Sequence, residues 1–163
     1  MSFMKIVIDE IIREPDQDIR GIAKIVLSKD DNIIQLFAFY DNKEQVHKGL
    51  MIEGEEASRY HIALYEDNSK GIFQTYDTNE EYQNDKHKLP EGLYSSLSNT
   101  IVGSVVDINR FKYETTLTIK CMDMMFDLTC IDLKKTVAVG NIICVNCSAD
   151  LIVENDFLEI DII

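Results

Sequence analysis

Apolar and polar positions alternate over much of this chain, and short polar runs punctuate the alternation. Between residues 4 and 12 two periods compete. Met4, Ile6 and Ile8 fit a strand, whereas Met4, Ile8, Ile11 and Ile12 share one helical face. The Ile and Val content and the abrupt Glu14-Pro15-Asp16 stop favour the strand. Residues 22–27 and 33–40 flank a polar segment at 28–32, which predicts a hairpin. The second of these strands is apolar on both faces, with Ile33, Phe37 and Phe39 on one and Ile34, Leu36 and Tyr40 on the other. Such a pattern belongs to a central strand covered from both sides. Asp41-Asn42-Lys43-Glu44 predicts one or two capped helical turns through Lys48, ending at Gly49. Residues 60–65 and 72–76 around a polar 66–71 predict a second hairpin. A helix over 55–66 is its rival, because Ala57, Tyr60 and Leu64 share a helical face.

Residues 77–88 are almost wholly polar, a composition shift that marks a linker. Thr78 and Glu81 have the capping-box spacing of a short helix, and Pro90 opens another helical turn through Leu93, Tyr94 and Leu97. Beyond residue 100 the strand candidates are 101–108, 115–121, 125–133 and 137–147, with 151–153 and 157–163 closing the chain. The expected fold is mainly β, with α+β as the alternative. It has three parts: an N-terminal β-hairpin unit over 1–76, a polar linker with short helical turns over 77–99, and a C-terminal all-β unit over 100–163. Short, closely spaced strands with a Gly near the start of the first fit a small OB-like barrel or a sandwich. Gly21 and Gly103 each stand just ahead of a β-branched run that a hairpin follows, an internal echo compatible with two related modules.

Composition supports the strand reading. The 22 Ile and 10 Val outnumber the 12 Leu and 6 Ala, and branched side chains suit the pleat better than the helix. Charge changes the picture more. The formal net charge is −13, and acids exceed bases both before and after residue 100. Nucleic acid and anionic lipid are therefore disfavoured partners overall, while cations and basic proteins are favoured ones. No run of about 18 apolar residues occurs, so a membrane span is not expected. The first residues meet acid before a signal-like apolar core develops. The expected address is cytoplasmic, with Cys121, Cys130, Cys144 and Cys147 as reduced thiols.

Little catalytic chemistry stands out. Cys144 and Cys147 have the C-x-x-C spacing, but they lie in a strand-like run, where positions three apart face opposite sides. Buried structural thiols are the expectation, with neither metal nor cofactor. Asp16 to Leu27 begins like a calcium loop and fails at positions five and twelve, occupied by Arg20 and Leu27. Gly49 to Gly54 has phosphate-loop glycine spacing, but Glu55 and Glu56 follow where Lys and Ser or Thr belong. His47, His61 and His87 are dispersed, and His61 has no nucleophile beside it in sequence.

These features predict a non-enzymatic acidic binding protein, an inhibitor or immunity-type protein that engages a basic protein partner and is compatible with homo-oligomers. Its expected contact patch is Glu53, Glu55, Glu56, Glu66 and Asp67, the last two on an exposed hairpin tip. The alternative is an OB-like module that binds single-stranded nucleic acid through Arg110, Phe111, Lys112, Tyr113 and Lys120, with Phe126 as a further strand aromatic. An enzyme whose site is assembled from scattered carboxylates and His61 is the third reading.

Overall fold

The computed structural model describes residues 4–67, 72–86 and 99–154. The tip of the expected second hairpin, the helical turn after Pro90, His87 and the final strand at 157–163 lie outside these residues. The fold is mainly β, with ten strands in a mixed sheet. The chain forms two compact units. Residues up to 62 and those from 150 onward make the first, and residues 63–149 make the second.

In the first unit, β1 (Lys5–Arg13), β2 (Gly21–Lys29) and β3 (Asn32–Tyr40) form an antiparallel meander, and the two-residue β4 (Met51–Ile52) pairs with Ile6 and Val7 of β1. The β2–β3 turn is tight: Lys29 faces Asn32, and Asp30 takes a left-handed conformation at φ 57°. Ile6, Ile8, Ile25, Leu27, Leu36 and Tyr40 fill the core from alternate strand positions. The other face of β3 is not covered as its sequence suggests. Ile33 is 60% exposed, Gln35 is exposed, and Phe37 and Phe39 are half-buried. Arg20 shields part of that face, its guanidinium 5.4 Å from the Phe39 ring centroid. Two register shifts interrupt β1, between Ile8 and Glu10 and between Ile11 and Arg13, and each is a β-bulge that bends the strand.

After β3 the chain makes turns rather than the expected helix. Asn42 Oδ1 accepts from Glu44 N at 2.9 Å, a side-chain turn that competes with helix formation. Residues Gly54–Arg59 form a 3-10 helix, and β5 (Tyr60–Glu66) starts directly after it, so the longer helix over 55–66 does not form. Asp150, in the last part of β10 (Ile142–Val153), accepts from Arg20 Nη1 at 2.9 Å, and Arg20 Nε reaches Asp41 Oδ1 at 2.8 Å.

In the second unit, β7 (Asn99–Arg110), β8 (Glu114–Cys121) and β9 (Met124–Ile131) form another antiparallel meander. β5 joins β9 in parallel, and β10 runs antiparallel to β7. β10 also neighbours β5, with Asp67 N donating to Asn146 O at 2.9 Å, so the pairings run in a ring β10–β5–β9–β8–β7 and back to β10. The second hairpin expected from the sequence does not form. β5 and β6 (Phe73–Tyr76) do not pair with each other; β6 lies antiparallel on β10, with Phe73 opposite Val145 and Tyr76 opposite Ile142. Leu117, Ile119 and Cys121 of β8 and Met124, Phe126, Leu128 and Cys130 of β9 point into the core at every second position. Thr78 caps α1 (Asn79–Asp85) as expected, with Glu81 N donating to Thr78 Oγ1 at 3.1 Å. The Glu81 carboxylate accepts from Asp77 N at 3.0 Å, one residue before the position a full capping box would use.

Gly103 has a packing role that its sequence context does not reveal. A Cβ at that position would stand 2.7 Å from Cys121 Sγ and 2.9 Å from Lys120 O. Gly21 plays the same part in the other unit, where the Tyr40 ring would be 2.5 Å from an added Cβ.

Candidate functional site

The acidic residues divide between the units. Glu53, Glu55 and Glu56 surround the start of the 3-10 helix and are exposed; Glu55 and Glu56 occupy its first turn. Gly49 and Gly54 take positive φ, so their spacing serves two turns instead of a phosphate cradle. Tyr60 Oη donates to Gln45 O at 3.4 Å and ties the end of this helix to the loop that carries Glu44. That loop lines an open groove of about 540 Å³ together with Pro15, Asp16, Gln17, Asp41, Asn42 and Lys43. Asp16, Asp41 and Glu44 are all exposed. Sequence reasoning misses them because Asp16 is remote from the other two along the chain and falls within a failed calcium-loop pattern.

Glu66 and Asp67 belong to the second unit and are half-buried, in contrast to the exposed hairpin tip expected from the sequence. Glu66 ends β5, which packs into the sheet instead of turning back as a hairpin. Its carboxyl lies above the usual range because burial penalises the charge; the Cys130 thiol and Lys135 pull the other way. Glu66 also lines a cleft of about 420 Å³ with Ile131, Asp132, Leu133, Lys134 and Lys135.

All four cysteines are buried free thiols. Burial pushes Cys121 and Cys130 up to about 12 and raises Cys144 and Cys147 as well, so these sulfurs are protonated at neutral pH and poor nucleophiles. Among the described residues, no three His, Cys, Asp or Glu side chains gather as a metal site. His61 is exposed, with Nε2 2.8 Å from Glu154 Oε1. That carboxylate orients the imidazole at the surface.

The aromatic and basic residues gather at one end of the second unit. Phe111 N donates to Glu114 O at 2.8 Å, closing the β7–β8 turn. Phe111 and Tyr113 are each 65% exposed, and Lys112 Nζ lies 5.3 Å from the Tyr113 ring centroid. Asp132 N donates to Tyr113 O at 2.9 Å, and Arg110 Nη2 donates to Val137 O at 3.4 Å. These bonds bring the segment after β9, with exposed Lys134 and Lys135, beside the β7–β8 turn. Four of the six bases described in this unit therefore share one end of it. Lys120 does not join them. It sits near the far end of β8, about 20 Å along the strand, and pairs with Asp123 at 3.5 Å. Phe126 is also removed from the face, being 3% exposed in the core. The Lys134-Lys135 pair is visible in the sequence only as a turn; nothing in its spacing ties it to Tyr113.

Among the described residues no helix is long and apolar enough to cross a membrane. No protein family, curated protein or solved structure matches this chain.

Proposed function

We propose that this is a non-enzymatic acidic binding protein of the inhibitor or immunity type, which works in the cytoplasm by capturing a basic protein. The observation that carries the reading is one unit's concentration of exposed carboxylates around a groove: Asp16, Asp41 and Glu44 along it, and Glu53, Glu55 and Glu56 on the helix tied to its loop. The walls of this groove of about 540 Å³ carry Asp16, Asp41, Glu44 and the Gln17 and Asn42 amides beside one cation, Lys43. Such walls suit lysine and arginine side chains, with Asp16 and Glu44 as the acceptors because Asp41 pairs with Arg20. Exposed like charges on a molecule of net charge −13 steer a basic partner inward and raise its rate of encounter. The ring of five paired strands in residues 63–149, with one parallel neighbour, supports an OB-like reading of that unit, which in this proposal serves as scaffold.

The test uses the full chain and a basic protein recovered with it by pull-down, followed by stopped flow over a salt series. The on-rate should fall steeply as salt rises. Reversal of charge in Glu53→Lys, Glu55→Lys and Glu56→Lys together should cut it by at least about tenfold, with the off-rate and the melting temperature little changed. An on-rate unaltered by the triple reversal would sink the proposal.

A further inference from the structure

We infer that the end of residues 63–149 that carries Phe111 and Tyr113 is a binding site for single-stranded nucleic acid, with the two rings stacking on bases and Arg110, Lys112, Lys134 and Lys135 holding phosphates. The inference does not depend on the acidic groove of the other unit, nor on the shape of the ring of strands. It depends on which side chains the turn and the segment after β9 place together.

Two large rings, each 65% exposed, stand two residues apart on one tight turn. A single exposed ring is ordinary; two neighbouring rings on one turn make a small apolar surface that a flat ligand can cover. Between them Lys112 lies against the Tyr113 face with its ammonium 5.3 Å from the ring centroid, a position that sets a cation beside a ring that is 65% exposed. The backbone bond from Asp132 to Tyr113 sets the cleft formed by Ile131 to Lys135 against the same turn. A strand whose bases stack on the rings thus finds Lys134 and Lys135 next along its backbone.

The charge of the whole molecule argues against such a ligand, yet screening limits the objection. At physiological ionic strength fields are screened over about 8 Å, so the local set of charges decides. That set holds four cations against Glu114 and Asp132, with Glu66 in the cleft half-buried. Bases in a duplex are already stacked and cannot reach rings on a hairpin tip, which selects a single strand. A basic protein would be repelled from this end. An acidic protein would match its charge but offers no flat partner for two neighbouring rings.

The experiment measures fluorescence anisotropy of a labelled oligothymidylate of about 15 nucleotides with the full-length protein at about 50 mM salt. Saturable binding is expected, with a log–log salt slope between about −2 and −3, because up to four phosphates are neutralised on a single strand. A duplex of equal length should bind at least about tenfold more weakly. The Phe111→Ala, Tyr113→Ala double variant should lose about tenfold or more in affinity, while Tyr113→Phe keeps most of it. Lys134→Ala with Lys135→Ala should flatten the slope by about one unit or more. The chain has no Trp, so Tyr113→Trp gives a single reporter whose emission should be quenched as bases stack. Circular dichroism checks that each variant keeps its strands, and the Trp signal reads the contact directly if the alanine pair fails to fold. Three results would each overturn the inference: no anisotropy change, equal affinity for duplex, or a double alanine variant that binds like the parent. Loss of an acidic protein partner in the double variant, with oligonucleotide binding unchanged, would assign the rings to protein docking instead. The acidic-groove reading has its own readout, an on-rate unaltered by charge reversal at Glu53, Glu55 and Glu56, which separates this failure from failure of that reading.

Discussion

Glu66 is a carboxylate in an unfavourable place. It is half-buried beside the Cys130 thiol, and desolvation raises its pKa despite the S–H donor and Lys135. A carboxyl raised on folding binds its proton more tightly in the native state than in the unfolded chain. Its contribution to stability is therefore present at low pH and is lost as pH rises from the ordinary glutamate range through the raised value. Glu66→Gln keeps an acceptor for Cys130 without the charge. We expect the variant to melt higher than the parent at neutral pH, with the gap closing as pH falls below about 4.3. Calorimetry across that range checks it; a variant less stable at neutral pH would mean that the Lys135 attraction outweighs burial. The polar neighbours at 67–71 point to a solvent-facing tip for this residue. Its apolar surroundings come from β9, distant along the chain, and no local pattern records them.

Strands, by contrast, are largely legible wherever one face is buried and the partner is adjacent. The β7–β8–β9 meander and the β2–β3 hairpin follow from alternation plus short turns, since a register slip of one residue would turn the whole core face outward. β5 is recognisable as a strand but not in its pairing, because its parallel partner β9 is separated from it by more than half of the second unit. The sequence of β10 suggests two strands with a break near Ser148-Ala149-Asp150. The break is absent because Arg20 satisfies Asp150, so a charged residue sits within a continuous strand. Close packing between strands gives a sharper expectation. Gly103→Ala pushes a methyl group into Cys121 Sγ and the Lys120 carbonyl and should destabilise by about 1–3 kcal/mol, measured by urea unfolding with an unchanged m-value. Cys121→Ala in that background should recover part of the loss only, since the Lys120 backbone cannot retreat as a side chain can. A Gly103→Ala variant as stable as the parent would show that the meander yields at this point.

At the scale of the molecule, composition announces an acidic surface but not where it is concentrated or where it reverses. Four residues of the basic end are contiguous, 110–113, and two, Lys134 and Lys135, are brought in by backbone carbonyl and amide contacts from the segment after β9. Only the contiguous part is readable. The bulged β1 of the first unit has a consequence of another kind. β4 covers only Ile6 and Val7 of that strand, and Leu50 and Gly49 extend the cover to Ile8, so among the described residues the stretch from Asp9 to Arg13 borders the sheet without a ladder partner on that side. A straight apolar border would template another chain, strand upon strand, and seed amyloid. Here the two bulges twist the border, and exposed Asp9, Glu10 and Arg13 charge it; Asp9 also lies 3.7 Å from Lys24 on β2. The double substitution Asp9→Thr, Glu10→Val would turn the stretch from Ile6 to Ile12 into an uncharged, β-branched run. Thioflavin T fluorescence under agitation should then rise after a much shorter lag than in the parent, even where both proteins melt at the same temperature. An unchanged lag would leave protection against fibril growth to the bulges alone.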